Sequence, residues 1–379
     1  NAGLNLFVST DQRVFSKRMN TGINRGYSRD VLDESGRAYV FASSCGPVIY
    51  RGDNFPKDFV GNAFVCDPAL NLIKRNLVFD ENLTLRSRFA YPDREFMAST
   101  DERFRPVNAF NGPDGTLWLV DMYRGIAQYG MFMTEYLKKE TLERDLQKGT
   151  HLGRIYRVVS NEKPPSQLLQ LSAEDSSSLV SRLGHANGWV RDTAQRLLVE
   201  RRDLSAVDAL LNAIQSGSNP LHQIHALWTI EGFYSVIPTT PRVDSTTDSI
   251  QLISLKTSES LAVDPKLPKL VFVTCMDAIS SSTPKVQVTA LRVTESLSKG
   301  SSARQNVFLL KLLHLTDQTA PSEVLFQAAL SAGNLPKPQV IPVLAKIATE
   351  AIHHLIVREA VVTGLHHWEL QFLQYLLSD

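Results

Sequence analysis

Several features that commonly identify a protein's function are missing from this sequence of 379 residues. Its charge is nearly balanced, with 40 basic against 39 acidic side chains and a net charge of +1, so nothing indicates binding to nucleic acid or to an anionic membrane. No apolar run approaches the ~20 residues that a membrane-spanning helix needs. No GxGxxG or phosphate-binding-loop pattern occurs either. The remaining composition, 43% hydrophobic and 21% charged, is typical of globular domains.

Cysteine is also scarce, and its three positions are Cys45, Cys66 and Cys275. Because no CxxC or CxxCH occurs, we expect neither a zinc ribbon nor a c-type haem attachment within this segment. Cys45 and Cys66 admit two interpretations. They form a disulfide in an oxidising compartment, or they are buried free thiols in neighbouring strands.

Residues 1–160 follow the pattern of an all-β protein, with short apolar runs separated by Gly, Asn, Asp and Pro. Asp114-Gly115 predicts a tight hairpin between two of these runs. Strands are predicted at residues 4–9, 38–42, 47–50, 61–67, 70–79, 83–90, 106–111, 117–121 and 153–159. A helical insertion is predicted at 129–148. Strands at this spacing indicate a sandwich, a barrel or the blades of a propeller.

After the Pro-containing boundary at 161–166, the apolar period changes from 2 to 3.6. Residues 161–379 then read as helical hairpins of ~35–45 residues each, none able to bury its apolar face alone, which indicates a HEAT-like α-solenoid. Helices of the second half are predicted near 270–279, 286–297, 307–315, 324–335, 340–348 and 355–365. Residues 236–261, rich in Pro, Thr and Ser, are predicted to be a loop insertion. The predicted fold class is mixed, with all-β propeller-type blades followed by an all-α HEAT-like solenoid.

Both ends of the sequence suggest an internal segment. The chain opens at Asn1 without a Met-led leader, and residues 370–377 form an amphipathic pattern that ends without a cap. We therefore expect this chain to be part of a longer protein.

Candidate ligand-binding residues lie at the ends of two predicted strands of the first half. Arg103 and Arg105 precede one strand, and Arg124 follows the next. A guanidinium binds carboxylates bidentately and stacks on flat rings, so these arginines suit a planar anionic ligand, although each also suits a structural ion pair. Asp53 and Asp121 are candidates for metal ligands or general bases, or for the capping of turns.

The histidines form no sequence pattern that is typical of a catalytic or metal-binding site. His151 is the only histidine of the first half, and the pairs in the second half have no evident thiol or carboxylate partner. Because a structural zinc normally needs four ligands, we predict no metal site, and no Ser-His-Asp or paired-carboxylate arrangement is evident. Catalytic residues are therefore left unassigned.

Three motifs carry a resemblance to known proteins. The first is a pair of strands with Tyr50, Gly52-Asp53, Phe55-Pro56, Gly61-Asn62 and Phe64-Val65. The second is the strand that carries Arg105, and the third is the hairpin at 112–117. Residues 45–124 thereby resemble the last blades of soluble quinoprotein aldose/sorbosone dehydrogenases. The runs 104–108, 121–125 and 187–192 resemble large secreted proteins of planctomycetes and relatives, which join such a propeller to HEAT repeats and often end in a cytochrome c domain. The resemblance covers nearly all of residues 1–230 and is more generic beyond.

This resemblance implies a six-bladed propeller that binds pyrroloquinoline quinone and calcium, oxidises a sugar or alcohol, and passes electrons to a cytochrome c. It also implies a periplasmic or extracellular location, with haem c only in a flanking domain. In that chemistry a histidine takes the hydroxyl proton while hydride passes to the quinone. The residues implied to contact the cofactor are Arg105, Arg103, Arg124, Asn108 and Tyr123, with Asp53, Asp121 and Arg51 as further candidates.

Two departures from the family pattern lead to competing hypotheses. Arg105 takes the first of two arginine places on its strand and Val107 the second, and the catalytic histidine belongs to blades that precede this sequence. The first hypothesis is a dehydrogenase whose segment here is inactive by itself. The second is a non-catalytic protein whose propeller holds a glycan or a partner protein and whose HEAT stack offers a docking surface. The third is a scaffold without a small-molecule site. The insertion at 129–148 suits a lid or a bridge to the solenoid.

Overall fold

The computed structural model describes residues 8–17, 32–81, 83–127, 130–234, 267–317 and 319–378. The chain divides into two compact units. The first, here called the β unit, comprises Asn1–Gln170 and Ala186–Val190; the second, the helical unit, comprises Leu171–His185 and Arg191–Asp379. The predicted strand at 4–9 lies largely outside the described residues, and the predicted loop insertion at 236–261 lies entirely outside them.

The first sheet of the β unit is antiparallel, with the strand order β1-β2-β3-β4 and β5 paired to β3. Its strands are β1 (Cys45–Ile49), β2 (Ala63–Asp67), β3 (Leu72–Glu81), β4 (Thr84–Phe89) and β5 (Met97–Ala98). Alternation along β2 turns Phe64 and Cys66 toward the interior, where both are fully buried. This sheet therefore supplies one side of the main apolar core of the unit.

The second sheet is antiparallel in the order β6-β7-β8. Its strands are β6 (Pro106–Asn111), β7 (Leu117–Asp121) and β8 (Arg154–Val158). The turn between β6 and β7 has Gly115 at φ +80° and the carboxylate of Asp114 accepting from the Thr116 hydroxyl at 2.6 Å. Between β7 and β8 lies helix α1 (Glu135–Glu143), within the predicted helical insertion. Strands β1 and β2 both contact β6, so the two sheets share a core.

Tyr50 is the centre of the contacts made by the motif at residues 50–56. Its ring is fully buried and stacks on Phe55 at a centroid distance of 4.7 Å. Its hydroxyl donates to the carbonyl of Gly115 at 2.5 Å and accepts from the backbone N–H groups of Asn54 and Phe55. Burial raises the pKa of this phenol. The motif thus ties the loop after β1 to the β6–β7 turn, which is a structural task.

The helical unit contains most of the α-helices. Their bounds are α2 (Ser176–Arg182), α3 (Gly188–Arg201), α4 (Val207–Gln215), α5 (Pro220–Tyr234), α6 (Leu267–Ala278), α7 (Pro284–Ser298), α8 (Ser302–Thr316), α9 (Ser322–Gly333), α10 (Ile341–Glu350), α11 (Leu355–Leu365) and α12 (Glu369–Ser378). Helices α5, α7, α9 and α11 pack on one another in turn, and α10 packs on both α8 and α12. Neighbours in sequence, such as α4 with α5 and α10 with α11, also pack together. The result is a two-layered stack of helices.

The predicted order of a sheet region followed by a helical region is confirmed. Some local predictions were wrong, however. Residues 38–42 form only isolated bridges, at Ala38 and Val40, and the two-residue strand β5 was not predicted. The two sheets are not closed into a ring over the described residues. Within that same part of the chain, none of the helices combines the length and hydropathy needed to cross a membrane.

Candidate functional site

Arg105, which immediately precedes β6, is 5% exposed. Its guanidinium donates to the carbonyl of Pro68 at 2.8 Å, to that of Gly125 at 2.6 Å, and to that of Arg124. These carbonyls come from two loops that are far apart in sequence. A guanidinium has five N–H donors in a fixed fork, so three carbonyl partners occupy much of its capacity. Arg105 therefore fastens the 124–125 main chain to the loop after β2.

Asp121 ends β7 and is 1% exposed. Its Oδ1 accepts from the backbone N–H groups of Arg105 and Tyr123, each at 2.8 Å. Its Oδ2 is buried and has no hydrogen-bond partner among the described residues. Tyr123 has a φ of +46°, a left-handed conformation that is uncommon for a tyrosine. The geometry of Asp121 is thus that of a residue capping the sharp turn after β7.

Tyr123 and Arg103 both lie against the turn that begins at Asp101. The Tyr123 hydroxyl donates to Asp101 Oδ2 at 2.7 Å, and this hydrogen bond raises the pKa of the phenol. The guanidinium of Arg154 stacks on the Tyr123 ring at 3.6 Å. Arg103 donates through its guanidinium to the carbonyl of Asp145 at 3.3 Å. These contacts connect the residues that follow β7, the first residue of β8 and the turn that follows α1.

A cleft of about 470 Å³ lies beside this turn, and we call it the 124 cleft. Its lining residues are Met122, Arg124, Ile126, Ala127, His151 and Gly153. Among the described residues, no hydrogen bond or ion pair engages the guanidinium of Arg124, whereas its carbonyl is held by Arg105. His151 has a φ of +63° and an exposed side chain. The cleft thus presents the guanidinium of Arg124 and the imidazole of His151 beside Met122, Ile126 and Ala127.

Asp53 lies at the opposite end of the β6–β7 hairpin, by the Gly115 turn. Its Oδ2 is 3.7 Å from Lys163 Nζ and 3.5 Å from the Ser166 hydroxyl, while its Oδ1 is buried without a partner among the described residues. Its carbonyl accepts from Lys163 Nζ at 2.7 Å. The residue anchors the segment that follows β8.

Arg51 and Asn108 are likewise separate from the 124 cleft. The backbone N–H of Arg51 donates to Asn111 Oδ1 at 2.7 Å, and its carbonyl accepts from the N–H of Gly188 at 2.7 Å. Asn108 Oδ1 accepts from the N–H of Ala109 at 2.9 Å.

Of the eight candidates from the sequence, the structure therefore gathers Arg105, Asp121, Tyr123 and Arg124 near one turn, with Arg103 beside it. It places Arg51, Asp53 and Asn108 elsewhere.

The sequence analysis did not name several lining residues of the 124 cleft as candidates, namely Met122, Ile126, Ala127 and Gly153. Met122 lies within the run 121–125 that carries part of the resemblance, whereas the other three residues lie outside it. In the described part of the chain, no group of three or more His, Cys, Asp or Glu side chains is placed so that it could hold a metal ion. Of the histidine pairs, His222 contacts the carbonyl of Val180 at 2.9 Å and His225 contacts Gln195 at 2.7 Å.

Comparison with known proteins gives one match. Residues 6–162 fit a family model described as a domain of unknown function, DUF7133. No curated protein and no solved structure matches the chain. The matched range covers most of the β unit and includes the lining residues of the 124 cleft.

Proposed function

We propose that this chain is a segment of a quinoprotein-type dehydrogenase for a sugar or an alcohol, and that the 124 cleft forms part of its quinone pocket. The observation that carries the proposal is the unpartnered guanidinium of Arg124 in a cleft of small-molecule size. Pockets for small ligands commonly measure ~300–1,000 Å³ and combine apolar walls with a few polar groups. The resemblance of residues 45–124 to dehydrogenase blades points to the same ligand.

The residues of the cleft fit a flat, carboxylate-bearing quinone. Arg124 would bind a carboxylate bidentately, and the Met122 and Ile126 side chains offer an apolar surface to a ring. Arg105 does not fit as a direct contact, because its donors are directed to carbonyls. We assign it instead the positioning of the 124–125 main chain. When bound, the quinone would supply the acceptor for hydride; the histidine base and the calcium ligands are not assigned to residues of this chain.

The location and the electron acceptor belong to the same proposal. A quinoprotein dehydrogenase of this type would work in the periplasm or outside the cell and would reduce a cytochrome c, either a flanking domain or a separate protein. The layered stack of helices in the helical unit would be HEAT-like and would offer the docking surface, since solenoids present extended faces to partners. The β unit would correspond to the last blades of the propeller.

A binding titration tests the proposal. Pyrroloquinoline quinone is titrated into the purified chain, with and without calcium chloride, and binding is followed by calorimetry. We expect Arg124→Ala to weaken binding about 10–100-fold, because a charge-assisted bidentate contact contributes about 1.5–3 kcal/mol. Arg88→Ala is the matched control, since Arg88 is an exposed arginine on β4. Equal affinities of the wild type and Arg124→Ala would overturn the assignment of the cleft.

A second candidate is a non-catalytic scaffold that binds a glycan or a partner protein. The observation in its favour is that Arg105 and Asp121, two of the residues implied to be chemical, both make main-chain hydrogen bonds of a structural kind. This candidate predicts no saturable quinone binding and retained binding on a glycan array or to a protein partner. The same titration therefore separates the two.

A further inference from the structure

Cys45 and Cys66 face each other across the first two strands. In the antiparallel pairing of β1 with β2, Val48 lies opposite Phe64 and Cys45 lies opposite Cys66, with an irregularity between Cys45 and Val48. If the register at Val48 continued unbroken, Cys45 would lie opposite Asp67 instead. The side chains of neighbouring residues point to opposite faces, so that register would keep the two cysteines apart. The irregularity is therefore what brings the thiols together.

Gly46 holds this β-bulge in place. Its φ is +51°, and a Cβ atom there would lie 2.4 Å from the carbonyl oxygen of Val107 and 2.5 Å from the Cα of Asn108. Only glycine fits so close to the neighbouring strand β6 in this conformation. A bulge adds one residue to one strand and shifts the pairing beyond it by one position. The left-handed conformation of Gly46 and the close main chain of β6 therefore both keep Cys45 paired with Cys66.

Distance and surroundings suit a covalent link. Residues directly opposite each other in an antiparallel pair have Cα atoms about 4.5–5.5 Å apart, which lies within the ~4.4–6.8 Å that disulfides span. Cys66 is fully buried in the main core and Cys45, which is partly exposed, packs against the same cluster. Burial, together with the nearby Cys45, raises the pKa of the Cys66 thiol to about 12. The Cys45 thiol donates to the carbonyl of Val107 at 3.3 Å, a weak contact that it would give up.

We propose that Cys45 and Cys66 form a cross-strand disulfide when the chain meets a disulfide oxidant such as oxidised glutathione. The thiolate of the more exposed Cys45 attacks one sulfur of glutathione disulfide and releases the first glutathione thiolate. The thiolate of Cys66 then attacks the Cys45 sulfur of the mixed disulfide and releases the second. Two protein thiols are oxidised, one external disulfide is reduced to two thiols, and the two protons pass to the released thiolates. The third cysteine, Cys275, lies fully buried in the helical unit.

Peptide mapping tests the proposal directly. The chain is unfolded and reduced, refolded in a glutathione redox buffer at pH 8, denatured with N-ethylmaleimide to trap free thiols, and digested with trypsin without reduction. The tryptic fragments that contain the three cysteines are 38–51, 58–74 and 270–285. We expect the fragments 38–51 and 58–74 to be recovered as one linked species, and 270–285 to carry the maleimide.

Two variants complete the experiment. Cys275→Ser should leave the linked species unchanged, and Cys66→Ser should abolish it, leaving 38–51 labelled or joined to glutathione. Recovery of 38–51 and 58–74 as separate maleimide adducts from the wild type would overturn the proposal, as would a link from either fragment to 270–285. Because the decisive result comes from the wild-type chain, it does not depend on how well a variant folds.

Discussion

At the scale of single residues, Lys74 and Glu95 form an ion pair that is buried in the β unit. Lys74 Nζ is 3.1 Å from Glu95 Oε1, and both side chains are at most 2% exposed. The ammonium also lies over the ring of Phe89 at 3.7 Å, and Glu95 accepts from the N–H of Phe15 at 2.8 Å. Burial lowers the pKa of Lys74 and raises that of Glu95, while their mutual attraction opposes both shifts. Each charge is therefore tolerated in the core because the other is there.

Replacing Glu95 with Gln tests this dependence. The substitution keeps the shape and the acceptor for Phe15 but leaves the Lys74 charge buried without a counter-charge, so we expect a loss of about 3–5 kcal/mol in the free energy of unfolding. The control is Glu81→Gln, because Glu81 pairs with Arg86 at 3.5 Å on an exposed edge and such pairs contribute about 0–1 kcal/mol. Urea denaturation measures both. Losses of similar size would mean that the buried pair is not stabilised by its mutual charge.

Arg105 and Arg124 illustrate how far a site can be predicted from residue types alone. The sequence marked both arginines as candidates, and both lie at the same turn. Their roles differ because the carbonyl groups that surround Arg105 come from Pro68, Arg124 and Gly125, and no side-chain pattern encodes where distant carbonyls will point. Side-chain chemistry was therefore predictable, whereas competition from main-chain acceptors was not.

At the scale of elements, turn chemistry decided which predictions succeeded. The predicted bounds of β6 and β7 agree with the structure, because Asp114-Gly115 fixes both the turn and the register of the strands beside it. The strand β5 was missed because two residues carry no period. The bulge in β1 was equally hidden, since Gly46 followed by Pro47 looks like an ordinary strand start. Local signals therefore predicted hairpins, while irregular pairing depended on contacts with β6.

Two glycines with positive φ allow the loss of stability from backbone strain to be measured apart from the loss caused by steric crowding. Gly46 is at +51° with backbone atoms of β6 where a Cβ would lie, whereas Gly61 is at +85° with nothing within 4 Å. We expect Gly61→Ala to cost about 1–2 kcal/mol, the usual strain of an alanine in that region. Gly46→Ala should cost about 2–5 kcal/mol, since overpacking adds to the strain.

Urea denaturation of the two alanine variants gives these values, and the tryptic map gives a second readout. Because Gly46 sets the register of Cys45, its alanine variant should also yield less of the linked 38–51 and 58–74 species, while Gly61→Ala should not. Equal losses of stability in the two variants would show that β6 yields to the added methyl group and does not hold the bulge.

At the scale of the whole molecule, the sequence predicted a division near residue 160, and the contacts divide the chain after Gln170. They also group Ala186–Val190 with the β unit, which no composition change indicated. Asn187 accounts for this grouping. It is fully buried, its Nδ2 donates to the carbonyls of Gly112 and Pro113 at 3.0 and 3.1 Å, and its Oδ1 accepts from the N–H of Trp189. One side chain thus closes the β6–β7 turn and caps the start of α3.

Asn187→Asp isolates the first of these tasks. Aspartate keeps the cap acceptor for Trp189 but has no amide donors, so the carbonyls of Gly112 and Pro113 lose the donor from residue 187 and face a negative charge. Among the described residues, the Gly112 carbonyl keeps only its hydrogen bond from the N–H of Gly115. We expect amide hydrogens of residues 106–121 to exchange about 5–100-fold faster, which corresponds to a local loss of about 1–3 kcal/mol. Asn219→Asp is the matched change in the helical unit, where Asn219 donates to the carbonyl of Gly184 at 3.1 Å. This control should leave the amide exchange of residues 106–121 unaltered. If Asn187→Asp also left the exchange at 106–121 unaltered, residues 186–190 would merely lie beside the β unit and would contribute nothing to its stability.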